Sequence, residues 1–249
     1  MQSDSSRSPS EDYPSLSYSI LPWDSDFFGF TVARIHNAGD PNPPISKWIA
    51  SLRDQGVTLA YWPSEYRLED SPVSENNGLL VDCKTTFAAR LDLTAHVDEQ
   101  AVVPYSDSMP IEDFDLLAIQ AGEFSRFATD PKIPRSKFEQ LYTTWIRRSL
   151  TRDLAVETLV ICDQNRPAGM VTLGIDNSIG EIGLVAVREK YRGQGYGGRL
   201  VTAALQWFKA HNCTMAKVVT QGHNHAACRL YSRCGFNMES VEFYYHFWP

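Results

Sequence analysis

Residues 185–198 read VAVREKYRGQGYGG, an apolar strand end followed by a run of glycines where a helix is expected to begin. Because glycine has no side chain, the backbone N–H groups of such a loop can converge closely on an anion. The positive end of the following helix favours the same guest. Arg188, Lys190, Arg192 and Arg199 add local positive charge to an otherwise acidic chain. The loop therefore predicts a phosphate or pyrophosphate site.

Two other phosphate-binding loops compete with this interpretation. Gly193, Gly195 and Gly198 satisfy the G-x-G-x-x-G pattern of dinucleotide-binding oxidoreductases. In that pattern the glycines follow their strand directly, whereas here a gap separates them from Val187, and the next predicted strand ends without an acidic residue for a ribose. The G-x-x-x-x-G-K-[ST] pattern of a P-loop is absent from the sequence. A phosphate-binding turn after an antiparallel meander fits best.

The loop and a second motif together resemble the GNAT N-acetyltransferases. The family's acyl-CoA pattern Q/R-x-x-G-x-G/A falls on Arg192, Gly195 and Gly197. Residues 224–236, NHAACRLYSRCGF, resemble the family's N-x-x-A-x-x-L-Y-x-x-x-G-F helix. The resemblance implies a GNAT fold of the α/β (α+β) class with a mixed, mostly antiparallel central sheet, and acetyl-CoA as co-substrate. A glycine-rich turn without a ligand is the alternative.

The resemblance also implies where acetyl-CoA is held. In the family the fourth strand splays from the fifth, so that its free N–H groups contact the thioester and the pantetheine arm. Asn224 is implied to lie beside the same arm, although an N-cap asparagine also satisfies backbone N–H groups of its helix. The residues expected to bind acetyl-CoA are Leu184, Val185, Ala186, Val187, Arg192, Gly193, Gln194, Gly195, Tyr196, Gly197, Gly198, Asn224 and Tyr231.

Two side chains are candidates for proton transfer. Tyr231 occupies the family's tyrosine position, and a phenol with a pKa near ~10 can protonate a departing thiolate whose conjugate acid lies near ~8.5. An aromatic residue at an amphipathic helical position also packs in a core, which is the other interpretation. Glu181 lies where some family members carry a glutamate that deprotonates the amine, and an exposed edge residue is its alternative. No metal site is expected, because the nearby His and Cys residues belong to the second motif.

The composition and net charge of the chain limit the kinds of partner and the cellular compartment that we expect. The chain of 249 residues has 23 Lys and Arg against 30 Asp and Glu, a net charge of −7, which argues against a nucleic-acid polymer or an anionic membrane as partner. No window approaches the ~20 apolar residues of a membrane span, and the N-terminus lacks the pattern of a signal peptide. Five scattered cysteines fit reduced thiols. We expect a cytoplasmic protein.

The chain is expected to contain three segments. Residues 1–15 are Ser-rich and predict a disordered leader, 16–95 a smaller truncated GNAT-like αβ domain, and 100–249 the acetyltransferase domain. Within the last, apolar residues of 135–150 recur at i, i+3, i+4, i+7 and i+8 and predict one helix. We expect that whole stripe, including Trp145, to be core.

A further resemblance indicates which amine accepts the acetyl group. The stretches LPWDSDFFG at 21–29 and SRF at 125–127, with 138–147, resemble the dTDP-fucosamine acetyltransferases in order and spacing. That family acetylates the 4-amino group of a dTDP-4-amino-4,6-dideoxyhexose, which implies direct transfer to a nucleotide-linked amino sugar, with polysaccharide biosynthesis as the setting and a homodimer left open. The alternatives are a GNAT enzyme for another amine, such as a peptide N-terminus, a polyamine or an antibiotic, and a non-catalytic acyl-CoA sensor.

A nucleotide sugar requires aromatic surfaces for its base and cations for its diphosphate. The alternative for the aromatic candidates named next is packing in a core, and the alternative for the basic candidates is a solvated surface position. The residues expected to bind the substrate are Trp23, Phe28, Arg126 and Phe127, with Lys132 and Arg135 as further cations.

Overall fold

The computed structural model describes residues 15–36, 39, 42–91 and 102–249. The described strands are β1 (Tyr18–Ile20), β2 (Val32–Ile35), β3 (Leu59–Ser64), β4 (Gly78–Arg90), β5 (Val102–Pro104), β6 (Glu157–Asp163), β7 (Arg166–Asp176), β8 (Ile179–Val187), β9 (Met215–Gln221) and β10 (Asn237–Phe247). The described helices are α1 (Pro22–Phe28), α2 (Ile45–Asp54), α3 (Asp70–Glu75), α4 (Ile111–Gly122), α5 (Arg126–Thr129), α6 (Arg135–Leu150), α7 (Tyr196–Ala210) and α8 (His225–Arg233).

Contacts divide the chain into two compact units. Unit 1 contains the described residues up to Leu79 together with Tyr245–Pro249, and unit 2 runs from Leu80 to Tyr244. The predicted leader, apart from Ser15, and the predicted boundary between residues 95 and 100 lie outside the described residues. Nearly all of β4 falls in unit 2 because it pairs with β9 over seven positions, from Lys84–Gln221 to Arg90–Met215.

Unit 1 is a small αβ unit. In it β1 runs antiparallel to β2, β2 runs parallel to β3, and the end of β10 lies beside β3. Helix α2 buries Ile45, Trp48, Ile49 and Leu52, whose spacing places them on one face. The polar stretch 65–77, which gave no sequence signal, contains α3.

Unit 2 carries the mixed sheet that the sequence predicts. Its strand order is β10-β4-β9-β8-β7-β6-β5, in which β8 and β9 are parallel and the pairs β4–β9, β5–β6, β6–β7 and β7–β8 are antiparallel. Helix α7 packs Leu200, Val201, Ala204 and Phe208 into the core cluster. A Cβ on Gly180 would overlap the Phe208 ring, so glycine permits this close approach.

Helix α6 has the predicted bounds, but one residue of its stripe is not core. Phe138, Leu141, Tyr142 and Ile146 are buried, whereas Trp145 is 37% exposed. The prediction was wrong for Trp145 because helical periodicity gives the facing side of a residue but not how far the neighbouring layer extends. Among the described residues, no helix combines the length and apolar character needed to cross a bilayer.

The strands β8 and β9 separate at one end. Their pairing ends at Ile182–Val218, although β8 continues to Val187 and β9 to Gln221. At the same level the β7–β8 register shifts between Val171 and Leu173, which is a β-bulge. The sheet therefore opens in unit 2 at residues 183–187.

Candidate active site

A cavity of about 680 Å³ lies where β8 and β9 separate. It is bordered by the C-terminal end of α4, the end of β8, the glycine loop, the first turn of α7 and one side of α8. All residues expected to bind acetyl-CoA line it except Leu184 and Gln194. The side-chain amide of Gln194 instead donates to the Lys190 carbonyl at 2.9 Å, so this hydrogen bond joins the two ends of the turn before α7.

The glycine loop presents backbone donors to this cavity. Gly193 and Gly195 have φ of +75° and +82°, the left-handed region that glycine adopts without strain, and no heavy atom lies within 4 Å of the position that a Cβ would take on either residue. Gly195 caps α7, whose first intrahelical hydrogen bond joins the Arg199 N–H to the Gly195 carbonyl at 3.1 Å. The N–H groups of the first turn, from Tyr196 on, therefore have no acceptor within the helix. The geometry suits a phosphate.

The open edge of β8 offers a second set of donors. The N–H of Leu184 donates to Thr172 Oγ1 at 2.8 Å, and the N–H of Arg188 donates to the Ala168 carbonyl at 2.8 Å, both toward β7. Because N–H groups alternate in direction along a strand, those of Val185 and Val187 point toward the open side. The expected contacts with a thioester and pantetheine arm thus fall to Val185 and Val187, while the Leu184 N–H is already bonded.

Tyr231 is a buried residue that lines the cavity. Its side chain is 4% exposed and its ring contacts those of Phe87 and Phe236 at centroid distances of 6.1 and 5.9 Å. Burial, together with the neighbouring Cys228 and Cys234, raises the pKa of the phenol above its usual value. Tyr231 therefore keeps its proton at physiological pH, and it both packs in the core and lines the cavity.

The family match decides what this arrangement is. Residues 118–236 match the Acetyltransferase (GNAT) family. These residues form a GNAT acetyltransferase domain. The matched stretch includes the meander of β6, β7 and β8, the glycine loop, and α8, so the predicted resemblance to the GNAT family and the α/β fold are confirmed.

Two curated relatives and one solved structure extend the match. A dTDP-fucosamine acetyltransferase of Escherichia coli is 29% identical over 230 residues, covering 90% of this chain and 95% of that protein. The spore coat polysaccharide biosynthesis protein SpsD of Bacillus subtilis is 28% identical over 128 residues, which are 50% of this chain but only 43% of SpsD. A GCN5-related N-acetyltransferase from Kribbella flavida shares the fold at 15% identity with a TM-score of 0.54, covering 87% of this chain and 81% of that chain.

Some arginines of this domain pair with a buried carboxylate, and others line the cavity. Arg188 forms an ion pair with Asp113 at 2.5 Å, and the Arg166 Nε donates to the same carboxylate at 2.9 Å. Burial opposes ionisation of Asp113, but the hydrogen bonds from the two arginines hold its pKa below the usual value. Arg229 and Arg233, which the sequence analysis missed, line the cavity instead. Their i, i+4 spacing on α8 is the signal that could have found them.

Asn224 combines the two roles considered for it. Its Oδ1 accepts a hydrogen bond from the Ala227 N–H at 3.1 Å, which is an N-cap contact. The same residue lines the cavity. The cap holds the start of α8 against the site.

Glu181 lies outside the cavity that contains Tyr231. It is exposed on β8, opposite Lys217 of β9, and lines a groove on the face of the sheet that carries α6. Any role as a base would require the amine to approach from that face. Its assignment stays a prediction.

Asp82 is a carboxylate that the sequence analysis did not single out. It lies on β4, is 8% exposed, and burial raises its pKa to about 7, against the opposing effects of Arg126, Gln221 and Lys84. Gln221 ends β9 beside the opening of the sheet. The signal was an acidic residue inside the apolar run at 79–83.

The residues expected to bind the acceptor fall in both units. In unit 1 Trp23 is 48% exposed and stacks on Phe27, with ring centroids 5.2 Å apart, whereas Phe28 is buried between Phe27 and Phe30. In unit 2 the Arg126 guanidinium lies 4.5 Å from the Phe127 ring and 5.1 Å from the Tyr244 ring. Of the further cations, Arg135 is paired with Glu123 at 2.6 Å and with Glu139 at 2.9 Å.

Proposed function

We propose that the protein transfers the acetyl group of acetyl-CoA to the amino group of a nucleotide-linked amino sugar, a dTDP-4-amino-4,6-dideoxyhexose, by direct attack of the amine. The observation that carries the reaction type is the meeting of the open β8 edge, the glycine loop and Tyr231 in one cavity. The acceptor class rests on the dTDP-fucosamine acetyltransferase, to which the similarity covers 95% of that protein's length.

The cavity suits acetyl-CoA at both of its ends. The glycine loop and the N-terminus of α7 provide N–H donors for a diphosphate, and Arg192, Arg229 and Arg233 provide positive charge beside them. The N–H groups of Val185 and Val187 are oriented to bond amide and thioester carbonyls, as a strand edge does. A hydrogen bond of this kind stabilises the negative charge that develops on the carbonyl oxygen during attack.

Tyr231 faces the position where the thiolate would leave. Because burial raises its pKa above that of a thiol, ~8.5, complete transfer of its proton is uphill at first. A protonated phenol nevertheless donates a hydrogen bond to the sulfur as negative charge builds up there. Tyr231 thus stabilises the departing thiolate through a hydrogen bond and keeps its own proton.

The attacking amine must first lose a proton. Two carboxylates on β4 and β8 are candidates for the base, Asp82 and Glu181. Asp82 has a pKa of about 7, which matches the operating pH of a general base better than an ordinary carboxylate does. Arg126 and Gln221 hold Asp82 beside the opened end of β9. Neither carboxylate lines the cavity that contains Tyr231. The pKa of Asp82 makes it our first candidate for the base, and Glu181 is the alternative.

The test follows CoA release with a thiol reagent. Acetyl-CoA is mixed with the protein and with dTDP-4-amino-4,6-dideoxygalactose or its gluco epimer, and dTDP alone serves as control. Turnover with either sugar nucleotide supports the proposal and selects the epimer. If acetyl-CoA binds but neither sugar nucleotide is acetylated, the acceptor assignment is wrong and another amine, such as a peptide N-terminus or a polyamine, becomes the substrate to seek.

A further inference from the structure

A second concavity, which we call the Trp145 groove, lies in unit 2 on the sheet face that carries α6. Its volume is about 230 Å³, and its lining includes Trp145, Leu154, Gly174, Glu181, Lys217 and Val219. The lining is mostly apolar and carries a carboxylate and an ammonium group. Lys217 is held by Glu239 at 2.8 Å. A volume of this size is that of a single small ring rather than of a whole coenzyme.

The Trp145 groove and the cavity that contains Tyr231 are lined by neighbouring residues of β8. Gly183 lines the groove and Val185 lines the cavity, so only Leu184 of the β-bulge separates the two. A Cβ on Gly183 would stand 2.6 Å from Thr172 Oγ1, the atom that accepts the Leu184 N–H. A group seated in the groove would therefore lie beside the stretch of β8 where the thioester is expected.

Trp145 is fixed although it is exposed. Its ring stacks on Tyr142, with centroids 5.8 Å apart and planes 30° apart. Tyr142 is buried, and it packs so closely on Gly122 that a Cβ there would overlap its ring. One face of the indole is thus held in place, which lowers the conformational entropy lost when a ligand stacks on it.

We propose that the Trp145 groove holds the deoxyhexose ring of the acceptor. This inference rests on the proposed function and adds the subsite to it. The indole of Trp145 packs against the C–H face of the sugar, and Leu154 and Val219 receive the deoxy carbon. Glu181 and Lys217 bond the ring hydroxyls. The amino group then faces the Gly183–Leu184 bulge.

Two variants test the Trp145 groove. Trp145→Ala should raise the acceptor KM by about 2- to 10-fold, from the loss of one aromatic stacking surface, with the acetyl-CoA KM unchanged. Trp145→Phe should restore part of the loss. Gly174→Ala adds a Cβ 3.6 Å from that of Glu181, an ordinary contact that the fold tolerates but that narrows the groove, so the acceptor KM should rise here too. Ile175→Ala is the matched control, because neighbouring residues of a strand face opposite ways.

Equilibrium binding of the sugar nucleotide and of dTDP, measured by calorimetry on the same variants, separates the possible failures. If Trp145→Ala weakens sugar-nucleotide binding but not dTDP binding, the sugar assignment is supported, even if the wild-type protein does not turn over and the proposed reaction fails. Equal weakening of both ligands would place the base, not the sugar, on Trp145 and overturn the inference. Unchanged affinity in Trp145→Ala and Gly174→Ala would overturn it as well.

Discussion

Replacing Gly198 by alanine should stabilise the fold while weakening acetyl-CoA binding. Gly198 lies in the first turn of α7, lines the cavity proposed to bind acetyl-CoA, and has no heavy atom within 4 Å of the position of an added Cβ. Glycine within a helix is less favourable than alanine by about 0.5–1 kcal/mol. For a chain of this size the substitution should therefore raise the Tm by about 2 °C.

The same methyl group intrudes on the proposed diphosphate site. Losing one hydrogen bond between a helix N–H group and a charged phosphate costs about 1.5–3 kcal/mol, which corresponds to about a 10- to 100-fold weaker Kd for acetyl-CoA. Scanning calorimetry measures the Tm and isothermal titration the Kd. Gln206→Ala, at an exposed position of the same helix, is the control that should leave the Kd unchanged. A Gly198→Ala protein with wild-type affinity would refute the placement of the phosphates at α7.

Three further substitutions address the reaction and the fold. Tyr231→Phe should lower kcat by about 100-fold or more with an unchanged acetyl-CoA Kd, and wild-type turnover would remove the phenol from the mechanism. Wild-type kcat/KM should rise as pH increases through about 7, because Asp82 must be deprotonated to accept a proton. Asp82→Asn should abolish this rise, and its persistence would remove Asp82 from the mechanism. Asp113→Ala should lower the free energy of unfolding by about 3 kcal/mol. This value is at the low end of what breaking a buried ion pair costs, because one partner of Asp113, Arg166, is exposed. Folding lowers the pKa of Asp113, so its contribution to stability is fully present above the pKa that this carboxyl has in the unfolded chain. The contribution is lost as pH falls through the pKa that Asp113 has in the folded protein. Denaturation of the wild type and of Asp113→Ala at several pH values measures this loss.

The parts of the site that were predictable are those set by local backbone chemistry. The glycine loop requires left-handed φ at Gly193 and Gly195, and the sequence shows both glycines directly. The Asn224 cap and the tyrosine of α8 follow from a single helical motif. For the same reason the helix at 135–150 was predicted to the residue, because sixteen residues repeat one apolar period.

The parts that were missed depend on contacts between residues far apart in the chain. The bond from the Leu184 N–H to Thr172 exists only because β7 and β8 pair with a register shift. Asp82 acquires its raised pKa from burial on β4 beside a helix and a strand that follow much later. The exposure of Trp145 depends on where the neighbouring layer ends. None of these is encoded in a local period or motif.

Two short elements were not predicted, for a different reason. The strand β1 has three residues and α3 has six, so neither displays enough of a repeat to stand out from a polar background. Their formation depends on pairing and packing within unit 1, such as the antiparallel register of Tyr18 with Ile35.

The most direct test of the account identifies the product. Acetyl-CoA labelled with ¹³C in the acetyl carbonyl is incubated with the protein and dTDP-4-amino-4,6-dideoxygalactose or its gluco epimer, and the sugar nucleotide is examined by NMR and mass spectrometry. The account predicts a ¹³C amide on the C4 nitrogen of one epimer, formed with the wild-type protein and strongly reduced with Tyr231→Phe. Unmodified sugar nucleotide of both epimers, in the presence of protein that binds acetyl-CoA, would contradict it.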